Sequence, residues 1–383
     1  MILVVTQGAG SLDMYSRRLA ENLRVGVLRT DMYQRIARRF NIPWLSPGSL
    51  SALWQDRFFV NKLNRTRDIV HLPNHHLGRY GNFLKVPFVV TVHDLIRYFD
   101  MMEYDTFIHP PNGRDRFYLN MDYRGIKKAA HVIAVSQGTK NDLVQHLGLS
   151  DDQVSVVYNG VDHSLFHPVT ERMYGDPYIL FVGSEHPRKN FAAVVKAFAL
   201  LKLERKFKGL KLVKVSPAGG REGEFRRRTM MLIDALDLHR DVVFTDFVPA
   251  GNLPAFYSGA QVYVLPSLYE GFGLPVLEAM ACGCPVITSN ISSLPEVVGD
   301  AAIKVPPQDI DGLAQAISQV LENGQLRQEL IAKGLTRAAH FSWERTAKET
   351  LAVYEQVSKE VVRDLARNPK WVRSVEERPA DSV

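Results

Sequence analysis

The stretch QVYVLPSLYEGFGLPVLEAMACGCPVITS, residues 261–289, decides the fold of this chain. It begins with the continuous apolar run QVYVLP, passes through a glycine-rich loop and ends in a second apolar run, PVITS. Continuous apolar runs are typical of parallel strands that are covered on both faces. Pro275 suits the first turn of a helix and Gly283 suits its C-terminal stop. The stretch therefore predicts a strand, a helix and a second strand.

The same alternation of short apolar runs and longer helical patterns extends over the rest of the chain. The predicted strands span residues 2–6, 69–73, 88–93, 131–136, 154–160, 178–183, 210–215, 242–247, 261–266, 285–289 and 302–306. Alternation of this kind favours α/β layers with right-handed crossovers. Because eleven strands are many for one open sheet, we expect two sheets.

Two domains are expected from the length of 383 residues and from one break in the pattern. Gly, Pro and polar residues accumulate at 159–177, between two strand-like runs. We therefore place the domains at 1–165 and 166–345, followed by a closing helix and a polar tail at 346–383.

The composition excludes several classes of protein. Hydrophobic residues make up 46% of the chain and charged residues 23%, and no apolar run reaches the roughly 20 residues that a membrane span needs. The N-terminal MILVVT has no basic leader, so secretion is not expected. Cys282 and Cys284 are too few for a disulfide framework, and their apolar neighbours indicate two small buried side chains. These features favour a reducing compartment.

The loop at the carboxyl end of the predicted strand 261–266 carries the strongest chemical signal. Glu270 lies in this loop, and Glu278 is expected on the first turn of the following helix. Between them, Gly271 and Gly273 would present backbone N–H groups at the positive end of the helix, where a diphosphate binds well. The two carboxylates would accept hydrogen bonds from sugar and ribose hydroxyl groups. Helix capping in a purely structural turn is the alternative, and two glycines with two acids in nine residues favour the binding site.

Two other strand ends carry side chains that suit a phosphorylated sugar. Arg188 and Lys189 precede a helical stretch, where they would neutralise a phosphate; a solvated basic turn is the alternative. His93 lies at the end of a strand, where it would donate a hydrogen bond to a sugar or act as a general acid or base. A core histidine that bonds to the backbone is the competing interpretation, and the position at a strand tip favours the functional one.

Two further loops give weaker signals. Gly8 and Gly10 follow the first strand and precede a helix, so their backbone N–H groups would approach a phosphate. A tight strand-to-helix turn explains them equally well, because the loop lacks the full dinucleotide fingerprint. Beyond the strand 242–247, the backbone near Val248 would read the edge of a nucleobase.

Taken together, these segments resemble the retaining nucleotide-sugar glycosyltransferases of family four, which have the GT-B fold. The resemblance rests on Glu270 and Glu278, spaced as the family's E-x7-E pair within PSLYEGFGLPVLEAMACGCPVI. VGSEHPRKN, LPAFYSGAQVYVLPS and SNISSLPEVVGDAAIKVPP support it in the second half. TVHDL, HVIAVSQGTKNDL and VVYNGVDHSLFHP support it in the first half, so the resemblance covers most of the chain.

The resemblance implies an α/β fold of two Rossmann-like domains that face each other across a cleft, with the C-terminal helix packing back toward the N-terminal domain. The N-terminal domain would bind the acceptor and the second domain the nucleotide sugar. Glu270 and His93 would then lie near the transferred sugar, and Glu278 would contact the ribose. The other implied ligands are the side chains of Lys189 and Arg188 for the diphosphate, the backbone of Phe272, Gly273 and Leu274, and the loop of Gly8 and Gly10.

The resemblance also implies a reaction. A hexose would pass from a GDP-mannose or UDP-glucose type donor to a glycan or lipid-linked acceptor, with retention at the anomeric carbon. The leaving diphosphate would take the acceptor's proton, while Lys189, Arg188 and the helix N-terminus stabilise its charge without a metal or a further cofactor. Many members carry an Arg directly after the glycine of the VG pair. Here that position is Ser184, and Arg188 is expected to take the role.

Two other classes of function compete with this one. A nucleotide-sugar epimerase or phosphorylase of the same fold would need further acid–base residues or a lysine bound to pyridoxal phosphate, and none stands out. A non-catalytic protein that binds nucleic acid or an anionic surface would use the net charge of +6. No basic tract is interleaved with aromatic residues, so nucleic acid is not an expected partner.

The positive charge is concentrated in the first half of the chain. Residues 1–165 hold 20 Lys and Arg against 15 Asp and Glu, whereas residues 166–383 hold 27 against 26. We expect a cytoplasmic protein whose first domain rests on the inner face of an anionic membrane or receives a phosphate-bearing acceptor. A solvated basic surface is the alternative.

Overall fold

The structure is a computed structural model that describes residues 1–6, 10–30, 47–66, 68–104, 107–217 and 222–367. In these ranges twelve strands form two parallel six-stranded sheets, one in each half of the chain. The first sheet contains β1 (Ile2–Thr6), β2 (Gly26–Thr30), β3 (Val70–Leu72), β4 (Phe88–Val92), β5 (His131–Ala134) and β6 (Val154–Val156). The second contains β7 (Tyr178–Val182), β8 (Lys211–Val215), β9 (Val242–Thr245), β10 (Val262–Leu265), β11 (Val286–Ser289) and β12 (Ile303–Val305).

Helices connect the strands. They are α1 (Ser11–Asn22), α2 (Pro47–Asn64), α3 (Ile96–Met102), α4 (Gly113–Ile126), α5 (Gln137–Leu147), α6 (Phe191–Lys202), α7 (Glu222–Ala235), α8 (Leu253–Gly259), α9 (Leu274–Ala281), α10 (Leu294–Val298), α11 (Ile310–Glu322), α12 (Gly324–Ala339) and α13 (Trp343–Arg367). Within the described ranges, none of these helices has the length and apolar character needed to cross a membrane.

Each sheet reverses its winding direction once. The strand order is β2-β1-β3-β4-β5-β6 in the first sheet and β12-β11-β10-β7-β8-β9 in the second. In the second sheet β10 therefore pairs directly with β7, with Tyr263 opposite Leu180. In sheets of this type, ligands bind in the crevice outside the carboxyl ends of the strands at the point where the winding reverses. The α/β prediction of two Rossmann-like domains is confirmed.

All eleven predicted strands are present, and β2 is the strand that the sequence did not predict. It pairs with β1 at the edge of the first sheet, with Gly26 opposite Ile2. Three of its five residues are exposed, so GVLRT lacks the continuous apolar run of a strand that is covered on both faces. The central strands of the second sheet show the expected pattern, because every residue of β7 and β10 is buried.

The last helix joins the two halves of the chain. Trp343, Tyr354 and Val357 of α13 are buried in one apolar cluster with Leu3 of β1 and Leu19 of α1. The prediction that the C-terminal helix packs back toward the N-terminal domain is therefore confirmed. The polar tail beyond residue 367 lies outside the described residues, and the exact domain limits 1–165, 166–345 and 346–383 stay a prediction.

Candidate active site

Three charged side chains meet where β7 and β10 end. Glu270 lies five residues beyond β10 and is buried, with 7% of its surface exposed. Its Oε1 lies 2.5 Å from Lys189 Nζ, and its Oε2 lies 2.9 Å from Arg188 Nη1. Ser267 Oγ donates a further hydrogen bond to Oε1 at 2.7 Å. The structure thus brings together three residues that the sequence placed at two separate strand ends.

The charges of this group are strongly coupled. Burial alone would raise the pKa of the Glu270 carboxyl, but the cations of Lys189 and Arg188 bring it down to about 2. Burial lowers the pKa of the Lys189 ammonium, and the Glu270 carboxylate partly offsets this effect. Glu270 is therefore ionised at neutral pH, and one carboxylate balances one of the two cations. The surplus positive charge suits a phosphate, and the carboxylate suits sugar hydroxyl groups.

A short turn fixes the two cations. Pro187–Lys189 form one turn of 3-10 helix after β7, and Asn190 ends it with a φ of 55°. The Asn190 side-chain amide donates to the carbonyls of Pro266 at 3.1 Å and Pro307 at 2.7 Å. The backbone N–H of Leu268 donates to the Arg188 carbonyl at 2.7 Å. These bonds tie the turn to the Glu270 loop and set the ion-pair distances.

Two serines that the sequence analysis did not single out hold the Glu270 loop from the other side. Ser292 Oγ accepts from the Glu270 N–H at 3.1 Å and lies 2.7 Å from the Glu270 carbonyl. Ser293 Oγ donates toward the carbonyls of Glu270 at 2.8 Å and Phe272 at 3.0 Å. Both serines lie in the stretch SNISSLPE, which supported the family resemblance. Two adjacent serines form no sequence pattern from which this role could be predicted.

Glu278 is in a different environment from Glu270. Because α9 starts at Leu274, Glu278 lies on the second turn of the helix and not on the first, which corrects the prediction. Its partly buried carboxylate accepts a hydrogen bond from the Tyr257 hydroxyl at 2.9 Å. Burial raises its pKa to about 7, against smaller opposing effects of Tyr257 and Lys189. Near neutral pH the protonated and the ionised form of this carboxyl group are therefore both populated, and either form can make a hydrogen bond with a hydroxyl group.

The glycine loop also contacts the first domain. A Cβ atom at Gly271 would lie only 1.8 Å from the His93 carbonyl oxygen, so this position admits glycine alone. Gly273 precedes α9 with a φ of 108°, a left-handed conformation that glycine adopts without strain, and Phe272 is buried beside it. Leu274 begins the helix. The carboxyl-end loops of the two sheets therefore face each other across the predicted cleft.

The side chain of His93 has the contacts of a core histidine that bonds to the backbone. It is buried beyond β4, its Nε2 lies 2.9 Å from the Pro73 carbonyl, and its ring packs edge-on against Tyr15 with centroids 4.7 Å apart. Burial lowers its pKa to about 4, so the ring is neutral at pH 7 and Nε2 donates to Pro73. The backbone of His93 reaches the glycine loop, whereas its side chain bonds to its own domain. A direct role toward the sugar stays a prediction.

Gly10 and Val248, two further predicted site residues, have contacts within their own domains. Gly10 precedes α1, and its N–H donates to Asp13 Oδ2 at 3.3 Å; Gly8 lies outside the described residues. Val248 follows β9 and packs, partly buried, against the core of the second domain. In the part of the chain that the structure describes, no three His, Cys, Asp or Glu side chains gather as a metal site requires. The expectation of a metal-free reaction stays a prediction.

Comparisons with known proteins agree with this architecture. Residues 8–165 match the family model Glycosyltransferase Family 4, and residues 165–337 match Glycosyl transferases group 1. The O-antigen chain mannosyltransferase B of Escherichia coli is 31% identical over 276 residues, which cover 70% of each protein. The serotype-specific mannosyltransferase WbdA of Escherichia coli is also 31% identical, over 68% of this chain, but the match spans only 32% of that longer protein.

Solved structures share the fold over nearly the whole chain. The HepE protein of Anabaena, determined in complex with UDP and glucose, superposes with a TM-score of 0.73 at 18% identity and covers 92% of this chain and 99% of its own. At that identity the likeness speaks for the fold alone. Two family models, a mannosyltransferase relative that matches across both domains and the two facing sheets lead to one conclusion: the chain belongs to the family 4, group 1 glycosyltransferases with the two-domain GT-B fold.

Proposed function

We propose that this glycosyltransferase moves a hexose from a nucleoside diphosphate donor to a glycan or lipid-linked acceptor, with retention at the anomeric carbon. A GDP-mannose type donor is the first candidate and a UDP-glucose type donor the second. The observation that carries the proposal is the group of buried Glu270 and Lys189 with partly buried Arg188 at the carboxyl ends of β7 and β10. The mannosyltransferase names of the relatives support the sugar, and the UDP complex of the Anabaena protein supports the nucleotide diphosphate.

The charged group suits the leaving diphosphate. Its two cations would lie beside the phosphates, together with the N-terminus of α9, where Gly273 and Leu274 begin the helix. Stabilising charge on the leaving group lowers the barrier to breaking the bond between the anomeric carbon and the phosphate oxygen. Arg188 here stands in for the Arg that many members carry at the position of Ser184.

Glu270 is better suited to bind hydroxyl groups than to attack carbon. Its two oxygens already accept bonds from Lys189 and Arg188, which draw charge from the carboxylate and weaken it as a nucleophile. The reaction that fits is therefore a same-face displacement. The bond from the anomeric carbon to the diphosphate breaks, the bond to the acceptor oxygen forms on that face, and the acceptor's proton passes to a diphosphate oxygen.

The ends of the cleft suit different parts of the donor. Glu278 would bind the ribose, because its side chain is only partly buried and its carboxyl oxygens accept hydrogen bonds from hydroxyl groups, as from Tyr257. Val248, beyond β9, would supply backbone groups to the nucleobase.

His93 and Gly10 lie on the first domain, where the acceptor would enter. The basic surplus of residues 1–165 suits a phosphate-bearing acceptor or the inner face of an anionic membrane.

A donor panel tests the proposal. The purified protein is mixed with GDP- or UDP-linked mannose, glucose and galactose, with and without a mixture of glycan and lipid-phosphate acceptors, and the released nucleotide diphosphate is quantified. We expect release of GDP or UDP that depends on acceptor, and a rise in Tm with the same nucleotide. Interconversion of the donor without release of nucleotide, or no donor response at all, would overturn the proposal.

A further inference from the structure

Outside the charged group, the carboxylate of Glu296 in the second domain binds the N-terminus of a helix in the first domain. Glu296 lies on α10 and is partly buried. It accepts hydrogen bonds from the backbone N–H groups of Gln137 and Gly138, both at 2.9 Å. These residues begin α5, in the first domain. A helix N-terminus leaves such N–H groups without partners in the helix and carries partial positive charge, so a carboxylate binds there firmly.

Two further contacts hold Glu296 in this position. Its Oε2 also accepts from the Tyr158 hydroxyl at 2.9 Å, on the segment that joins the two domains. The Arg337 guanidinium, from α12, donates to the backbone carbonyls of Glu296 and Val297. The carboxylate thus binds α5 from a helix that Arg337 holds in place. Each hydrogen bond to the carboxylate is charge-assisted, and such bonds are roughly twice as strong as those between neutral groups.

The same segment of chain holds the loop of the charged group. Ser292 and Ser293, just before α10, bond to the backbone of Glu270 as described above. On the first-domain side, Thr139 Oγ1 of α5 donates to the Gly271 carbonyl at 3.2 Å. A Cβ atom at Gly138 would lie 3.5 Å from the Ser293 backbone nitrogen, so the start of α5 rests directly on this segment.

We propose that Glu296 is a positioning residue, which sets the placement of the Glu270 loop against His93 by holding α5 of the opposite domain. The inference rests on the proposed function for its consequence in catalysis. Gly271 lies against the His93 carbonyl in the assembled cleft. Loss of the Glu296 bonds would let the first domain move away from that contact, while the donor side of the cleft, built by the second domain, stays intact.

The test combines kinetics with a distance measurement. Glu296→Ala removes the carboxylate, Glu296→Gln keeps its size, and Gln137→Ala serves as the matched control, since only the backbone of Gln137 contacts Glu296. Spin labels on Lys128→Cys and Lys208→Cys, both exposed positions in opposite domains, report the interdomain distance by pulsed electron resonance. Cys282 and Cys284 are buried, so they do not interfere with labelling.

We expect Glu296→Ala to lower kcat at least tenfold and to broaden the interdomain distance distribution. The Kd for GDP or UDP, whichever the parent protein binds, should change less than twofold. Glu296→Gln should lower kcat and broaden the distance distribution in the same direction but by less. If the Ala variant does not fold, the Gln variant alone tests the proposal. Gln137→Ala should match the parent protein.

Two results would overturn the proposal: a kcat within twofold of the parent value, or an unchanged distance distribution in both Glu296 variants. The distance measurement needs no substrate. If the parent protein transfers no sugar from any donor, the proposed function fails, and the distances alone still decide whether Glu296 holds the domains together.

Discussion

Replacing Glu278 with Gln should stabilise the protein at pH 8 and leave it almost unchanged at pH 4.5. Burial raises the pKa of this carboxyl from 4.5 to about 7. A shift of that size corresponds to about 3 kcal/mol. Because the side chain is only partly buried, solvent screens part of this effect, and we expect ~1–2 kcal/mol.

Proton binding fixes the direction of the effect. The folded protein holds the Glu278 proton more tightly than the unfolded chain does, so the loss of stability from ionisation is absent below pH 4.5. It grows as the pH rises toward 7 and is complete above pH 7. Gln is neutral at every pH and still accepts the hydrogen bond of the Tyr257 hydroxyl, so it removes this loss and keeps the contact.

Thermal unfolding of the parent and variant proteins, followed by circular dichroism at both pH values, measures the effect. We expect Tm to rise by roughly 1–3 °C at pH 8 and to change little at pH 4.5. Glu355→Gln, at an exposed position on α13, is the control and should show no comparable dependence on pH. An equal gain in Tm at the two pH values, or a loss at pH 8, would refute the reasoning.

Three further predictions follow from the geometry of the cleft. Lys189→Ala and Glu270→Ala should each lower the rate of transfer at least a hundredfold, because each removes one side of a buried ion pair beside the donor. Circular dichroism should show that both variants keep the fold. Near-normal transfer by both would contradict the assignment of the active site. Gly271→Ala should lower kcat at least tenfold, since its Cβ would meet the His93 carbonyl at 1.8 Å, whereas Gly138→Ala, with its nearest neighbour at 3.5 Å, should stay within threefold of the parent kcat. Equal rates for the two glycine variants would argue against a close contact of the domains. Transfer should continue unchanged in excess EDTA, because two cations already face the diphosphate; loss of activity that Mg²⁺ or Mn²⁺ restores would show the opposite.

The sequence predicted the fold well where burial is complete on both faces of a sheet. β7 and β10 are apolar throughout, so their positions could be read from the chain alone. β2 could not, because an edge strand with three exposed residues has no such run. Glu278 lies one residue beyond the predicted first turn, because the left-handed conformation of Gly273 lets α9 begin at Leu274.

Glu270, Lys189 and Arg188 were each predicted as site residues, but the ion pairs between them were not predicted. Lys189 and Glu270 are 81 residues apart, and their meeting depends on the pairing of β7 with β10, which no local pattern encodes. The ion pair between them was therefore not foreseen. Ser293 and Tyr257 were missed for a related reason: a hydroxyl group has no distinctive spacing, and its role depends on which loop the fold brings beside it.

The stereochemistry of transfer tests the central claim most directly. With the donor that the panel identifies, the product is isolated and the configuration of its new glycosidic bond is read by NMR of the anomeric proton and carbon. The proposed same-face displacement beside Glu270, Lys189 and Arg188 predicts that the new glycosidic bond has the same anomeric configuration as the sugar had in the donor. A product of inverted configuration would contradict it.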